Sequence, residues 1–157
     1  MTALAVRASL ARSSFVAAML VLVVLALAAC GPTGTVEEQV KERISAMEAA
    51  GEAGERGTFM GFVAEDFEAQ RGTMTRDDFR GYMFLQFNQR RRIHAQLFPI
   101  TVEPQGPNLA TARFNVLVTG GGGLIPDEGE LFSVQTTWIL EGGDWMLWRA
   151  DWEGTTR

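Results

Sequence analysis

Residues 132–147 read FSVQTTWILEGGDWML, in which two alternating apolar runs flank a pair of glycines. Alternation with a period of two is typical of half-buried β-strands, and a glycine pair between two such runs is typical of a two-residue hairpin turn. The sequence therefore predicts an antiparallel hairpin. Pairing Glu141 with Asp144 across the glycines places Trp138 opposite Leu147.

The alternation also occurs upstream of the hairpin, so the pairing can be extended to earlier strands. If the hairpin pairing continues without interruption, Thr136 lies opposite Arg149. Matching the apolar faces of the earlier strands then places Phe114 opposite Thr136 and Gln96 opposite Val116. A slip of one residue would exchange the two faces of a strand. The predicted core face consists of Phe98, Ile100, Val102, Phe114, Val116, Val118, Phe132, Val134, Trp138, Leu140, Trp145 and Leu147.

The preceding part of the chain has the pattern of helices. Thr35 followed by Glu38 is a capping-box pair, and apolar residues then recur at helical spacing, which predicts a helix over residues 35–50. After a glycine-rich break, residues 58–65 are expected to resume as a helix. A similar capping pair begins a third helical segment at Thr75.

Three helical segments followed by four strands indicate an α+β domain over residues 35–157, with N-terminal helices packed on one face of a strongly curved antiparallel sheet. The segments FVAEDF at 62–67 and GGDWML at 142–147 resemble the nuclear transport factor 2-like superfamily, which includes ketosteroid isomerase-like and SnoaL-like domains. The resemblance covers residues 35–153. It implies a cone-shaped fold with a pocket between helices and sheet, in a family that contains both enzymes and non-catalytic binding modules.

Polar side chains on the predicted core face are the candidates for the pocket, because buried polar groups need partners. Arg149 and Asp151 have an alternative interpretation, in which they pair with each other at a solvated rim of the sheet. A His94–Asp151 dyad would have to bridge three strands, about 14 Å on a flat sheet, so no catalytic residue is assigned. Together with the one tyrosine, the pocket candidates are Tyr82, His94, Gln96, Thr136, Arg149 and Asp151.

Large apolar residues are also predicted on the opposite face of the sheet, where a C-terminal tail or loop could cover them. We expect them instead to form the interface of a homodimer. The dimer-face candidates are Leu117, Ile139, Met146, Trp148 and Trp152.

The beginning of the chain has the pattern of an export signal. Residues 1–29 contain two arginines and no acidic residue, and a run of about fifteen apolar residues is too short for a bilayer span. Leu27-Ala28-Ala29-Cys30 resembles the lipobox of bacterial lipoproteins. The resemblance implies cleavage of a signal peptide, residues 1–29, and lipidation of Cys30, followed by a tether that ends at residue 34. There are two alternatives: an ordinary signal cleaved after Ala29, which would leave a free thiol, and a transmembrane helix that is never cleaved.

The lipobox resemblance also predicts the location of the protein. It implies a bacterial cell-envelope protein held on a membrane by its lipid. In enteric bacteria, lipoproteins that stay in the inner membrane resemble one another in having Asp directly after the lipidated Cys. This chain has Gly31 there, and the absence of Asp favours the periplasmic face of the outer membrane.

Composition excludes several classes of function. Fourteen Lys and Arg against nineteen Asp and Glu argue against nucleic-acid binding. One Cys and one His exclude an internal disulfide and a Cys/His zinc site, and Gly120–Gly123 lacks the residues of a phosphate loop. We therefore expect neither a metal nor a cofactor.

The leading hypothesis is a lipid-anchored protein that binds a small apolar ligand or a protein partner without catalysis. One alternative is a small-molecule isomerase or dehydratase using Asp151 with His94 or Tyr82. A dimeric assembly subunit of the envelope is the other.

Replacing Cys30 with Ser tests the lipid anchor, because it removes the only thiol that can be acylated. Wild-type protein expressed with a fatty-acid analogue should be labelled and should sediment with membranes, whereas Cys30→Ser should be unlabelled. Thr33→Ser in the tether is the control and should behave as wild type. Label and membrane association retained by Cys30→Ser would contradict the lipoprotein interpretation.

Overall fold

The computed structural model describes residues 34–89, 93–120 and 128–155. From Gly34 onward they form one compact unit. The predicted signal peptide and Cys30 lie outside the described residues, so cleavage and lipidation stay predictions. In the described part of the chain, every helix is too short or too polar to cross a membrane.

The described residues contain three helices. They are α1 (Val36–Glu52), α2 (Arg56–Met60) and α3 (Arg76–Gln89). The capping box predicted at the start of α1 is confirmed: the Thr35 hydroxyl accepts from the Glu38 amide at 3.2 Å, and the Glu38 carboxylate accepts from the Thr35 amide at 2.8 Å.

The start of α3 is fixed by a similar arrangement. The Asp78 carboxylate accepts from the hydroxyl of Thr75 at 2.7 Å and from its amide at 3.0 Å, and the Asp78 amide donates back to the hydroxyl at 3.3 Å. These hydrogen bonds from the side chain and backbone of Thr75 hold the pKa of Asp78 below its ordinary value of 3.8. The predicted helix start at Thr75 is thereby confirmed.

Within the described ranges, seven strands form one mixed sheet with the order β2-β1-β7-β6-β5-β3, in which β4 also pairs with β5. The pairing of β1 with β7 is parallel, and the other pairings are antiparallel. The predicted α+β class is confirmed. The strands are β1 (Val63–Ala69), β2 (Met74–Thr75), β3 (Ile93–Leu97), β4 (Thr101–Pro104), β5 (Leu109–Gly120), β6 (Glu128–Glu141) and β7 (Asp144–Gly154).

The prediction of a helix over residues 58–65 is wrong at its end. Helix α2 ends at Met60, and the chain enters β1 at Val63. Phe67 and Ala69 are buried while Glu68 between them is exposed, which is the alternation of a strand with one face in the core. The segment between two helices therefore extends the predicted sheet by two strands.

The hairpin of β6 and β7 has the predicted register at its turn and a different one beyond it. Trp138 lies opposite Leu147 as expected, but Thr137 lies opposite Arg149, so that Trp148 is an extra residue in β7. Such a β-bulge shifts every later pairing by one. Thr136 consequently faces Ala150 rather than Arg149.

The two pairings with β5 deviate in different ways. Phe114 lies opposite Val134 rather than Thr136, a shift of two residues that keeps the predicted faces. Gln96 lies opposite Leu117 rather than Val116, a shift of one that exchanges the faces of β3. The cause is the break between β3 and β4, since residues 98–100 lie outside both strands and interrupt the alternation.

The core lies between the helices and one face of the sheet. Trp138, with 1% of its surface exposed, and Leu147 are buried there as predicted, whereas Phe98 is 38% exposed because it lies in the break. Helix α1 is attached to the hairpin turn, since the Trp145 indole donates to Gln39 at 2.8 Å and the Arg43 guanidinium donates to the Trp145 carbonyl at 3.0 Å.

Replacing Thr35 with Ala removes the capping hydroxyl of α1. We expect the free energy of unfolding to fall by about 1 kcal/mol, measured by urea denaturation. Thr58→Ala is the matched control, because Thr58 is an exposed threonine within α2. Equal effects of the two substitutions would contradict a stabilising role of the cap.

Candidate functional site

A cavity of about 590 Å³ lies between the helices and the core face of the sheet. Helices α1 and α3 contribute one wall, and strands β3, β5, β6 and β7 contribute the other. This volume is within the range of pockets that hold small organic molecules. The lining of such pockets is mostly apolar with a few polar groups. The aromatic residues that line it are Phe59, Phe79, Tyr82, Phe87, Phe114, Phe132 and Trp152.

Aromatic contacts connect α3 to the far side of the cavity. Phe79 packs against Trp152 with 5.9 Å between ring centroids, and Tyr82 packs against the same indole at 5.7 Å. Phe59 meets Phe87 edge to face at 5.8 Å. These rings form a continuous apolar wall whose members support one another.

Trp152 was predicted for the dimer face, and that prediction is wrong. The bulge in β7 turns Trp152 inward, where it lines the cavity. A turn between β1 and β2 holds the end of β7. The side-chain amide of Gln70 donates to the Trp152 carbonyl at 3.1 Å, and the backbone amide of Arg71 donates to the Asp151 carboxylate at 2.8 Å. Gln70 and Arg71 both have positive φ, 51° and 59°, which is uncommon for residues with side chains.

Thr136 is the one buried polar residue among those described. Its hydroxyl accepts from the Trp138 indole at 2.9 Å and donates to the Ala112 carbonyl at 3.4 Å. Within the described ranges, every buried side-chain nitrogen and oxygen has a hydrogen-bond partner. The Thr136 hydroxyl therefore needs no hydrogen bond from a ligand.

Three carboxylates also line the cavity: Glu48 and Glu52 from α1, and Glu130 from β6. Burial, and secondarily the negative charge of Glu52, raise the pKa of Glu48 above its ordinary value of 4.5, against a smaller lowering by a hydrogen bond from the Leu97 backbone. The Glu52 carboxylate accepts from the Ala95 amide at 2.9 Å. Both helix carboxylates are thus held against β3.

The position of Glu48 in the sequence also indicates that it faces inward, although it is absent from the predicted pocket residues. It follows the buried residues Val40 and Ile44 at intervals of four, so it lies on the helix face that packs inward.

Only two of the predicted pocket residues, Tyr82 and Thr136, line the cavity. The register shifts place the other four on the outer face of the sheet. The His94 side chain is 81% exposed and contacts Glu52 at 3.0 Å, and Gln96 is exposed. The Arg149 guanidinium lies 3.7 Å from the Glu68 carboxylate.

Asp151, the fourth of these residues, is held by the β1–β2 turn. It shares the outer face with Gln135, its partner in β6. His94, Tyr82 and Asp151 consequently do not converge on one site.

The remaining dimer-face candidates, Leu117, Ile139, Met146 and Trp148, are half-buried. The Trp148 indole donates to Asp66 at 3.0 Å and lies under the Arg149 guanidinium at 4.3 Å. Dimerisation through this face stays a prediction. In the described part of the chain, no group of three or more His, Cys, Asp or Glu could hold a metal ion.

No protein-family model and no curated protein matches the sequence. Solved structures do match. The fold is nuclear transport factor 2-like. A nuclear transport factor 2-like protein of unknown function from Pseudomonas putida KT2440 aligns with a TM-score of 0.66 at 16% identity, over 78% of this chain and 89% of that one. A candidate dehydratase from Streptomyces avermitilis, itself of the nuclear transport factor 2-like family, aligns with a TM-score of 0.65 at 16% identity, over 76% of this chain and 96% of that one.

The chain also matches part of a longer protein, Bd1075 of Bdellovibrio bacteriovorus, with a TM-score of 0.65 at 10% identity. The match covers 76% of this chain but only 41% of that protein. At identities this low, these similarities establish the fold alone.

Glu48→Gln is expected to stabilise the protein at neutral and alkaline pH, because it removes a partly desolvated charge and keeps an oxygen that can accept from Leu97. Since folding raises the pKa of Glu48, the folded protein binds this proton more tightly than the unfolded chain. Wild-type stability should therefore decline, relative to the variant, as the pH rises from about 4.5 through the raised pKa.

Urea denaturation at a series of pH values measures this difference. Glu42→Gln, on the exposed part of the same helix, is the control and should show no such pH dependence relative to wild type. A difference between wild type and Glu48→Gln that is equal at all pH values would contradict the prediction.

Proposed function

We propose that the domain binds a small, largely apolar molecule in the cavity between helices and sheet, and that a lipid on Cys30 holds it at the bacterial envelope. The observation that carries the binding role is the cavity itself: about 590 Å³ lined mainly by aromatic and aliphatic side chains. Transfer of a ligand from water to such a surface is favourable by about 0.8 kcal/mol for each buried methylene.

The arrangement of polar groups supports binding without chemistry. General acid–base catalysis needs a group within hydrogen-bond reach of the proton that it moves. The Thr136 hydroxyl is already hydrogen-bonded to Trp138 and Ala112. His94 and Asp151 are not among the residues that line the cavity. The acid–base set that the sequence suggested, Asp151 with His94 or Tyr82, is therefore not assembled in the cavity.

The lipid anchor is supported by the sequence, through the lipobox at Leu27–Cys30. Helix α1 begins at Val36, and the tether from Gly31 to Gly34 spans at most about 14 Å. A lipidated protein of this kind would hold its cavity close to a membrane, where apolar molecules concentrate.

A catalytic function is the second candidate, and one observation favours it. Glu48 lines an apolar cavity with a raised pKa, which is typical of carboxylates that act as general bases. Tyr82 lines the same cavity, and a candidate dehydratase is among the similar structures. If this candidate is correct, a ligand recovered after incubation with the protein will be chemically changed, and Glu48→Gln will leave it unchanged.

A neutral fluorescent probe, N-phenyl-1-naphthylamine, tests the binding role. We expect its fluorescence to rise on binding to the wild-type protein. Ala95 lines the cavity, so Ala95→Trp should fill part of the space and weaken binding at least about tenfold.

The matched control is Ala49→Trp, which adds the same side chain to an exposed position of α1 and should bind as wild type. Circular dichroism of both variants checks that they fold. Absence of binding to the wild type, or equal binding by the two variants, would contradict the proposed function.

A further inference from the structure

The charges that line the cavity select among apolar ligands. Among the described residues that line it, the charged ones are Glu48, Glu52 and Glu130, and none is basic. A ligand that enters this space therefore meets a wall of one sign. Apart from these carboxylates, the lining is mainly aromatic and aliphatic.

The two helix carboxylates are fixed rather than freely rotating. Strand β3 is at the edge of the sheet, and two of its backbone amides point away from β5 towards α1. The Ala95 amide donates to Glu52 at 2.9 Å, and Leu97 donates to Glu48. Glu52 also contacts His94 Nδ1 at 3.0 Å. Each carboxylate has two oxygens and can accept further hydrogen bonds beyond these.

Aromatic rings of the same cavity add a second attraction for positive charge. The faces of tyrosine, phenylalanine and tryptophan rings carry negative electrostatic potential, and pockets built from them bind ammonium groups. Tyr82, Phe87 and Trp152 line the cavity, and Tyr82 and Trp152 stand 5.7 Å apart with their planes inclined by 30°. The carboxylates and the aromatic lining thus favour the same ligand charge.

We propose that the ligand of this cavity is an organic cation, with an apolar body among the aromatic residues and an ammonium group at Glu48 and Glu52. This proposal rests on the proposed binding function. A cation there offsets the repulsion between the two carboxylates, whereas an anionic amphiphile adds a further negative charge to the wall. The partial burial of Glu48 strengthens both effects, because water screens the interaction less.

Three probes of equal chain length separate charge from apolar binding: octyltrimethylammonium, octanol and octanoate. The full chain is placed in phosphatidylcholine nanodiscs, empty nanodiscs are subtracted, and binding is followed by tryptophan fluorescence. Trp152→Phe identifies the part of the signal that comes from the cavity. We expect the cation to bind at least about tenfold more tightly than octanoate, with octanol between them.

The double variant Glu48→Gln, Glu52→Gln should lose most of this preference and still bind octanol. Glu42→Gln, on the exposed part of the same helix, should keep it. Octanoate binding as tightly as the cation, or a preference that persists in the double variant, would overturn the cation proposal and leave the proposed function intact. If none of the three probes binds, both fail.

Discussion

One extra residue in β7 determines which side chains face the cavity. The bulge at Trp148 changes the alternation of the strand, so that Ala150 and Trp152 point inward. In an unbroken register, Arg149 and Asp151 would point inward instead. Two charged groups in an apolar wall would lose hydration without gaining good partners. The bulge moves them to the outer face, and Trp152 completes the aromatic wall with α3.

The edge of the sheet imposes a second constraint that bears on the ligand. An edge strand leaves alternate backbone amides unpaired, and such groups need partners or cover. Glu48 and Glu52, one helical turn apart on α1, accept from the amides of Leu97 and Ala95, two residues apart on β3. The same contacts that cover the edge hold two negative charges at the cavity. A structural requirement of the fold therefore sets the charge of the site.

Much of the fold could be predicted because its signals are local. The capping box at Thr35 and the hairpin pairing of Trp138 with Leu147 depend on neighbouring residues and are confirmed. The bulge at Trp148 and the break between β3 and β4 depend on how distant strands pack, and no local pattern marks them. Because strand faces alternate, each such irregularity exchanged inward and outward residues, which is why most predicted pocket residues lie elsewhere.

The hydrogen bonds that Thr136 and Glu52 already make bear on the choice between binding and catalysis. A residue that transfers protons must exchange one hydrogen-bond partner for another during the reaction. Thr136 already has a donor and an acceptor in the core, and Glu52 is held by Ala95 and His94. Using either in proton transfer would break contacts that support β3 or β6. A ligand that needs only a fixed charge and an apolar surface requires no such rearrangement of Thr136 or Glu52, which is why we propose recognition rather than proton transfer for this cavity.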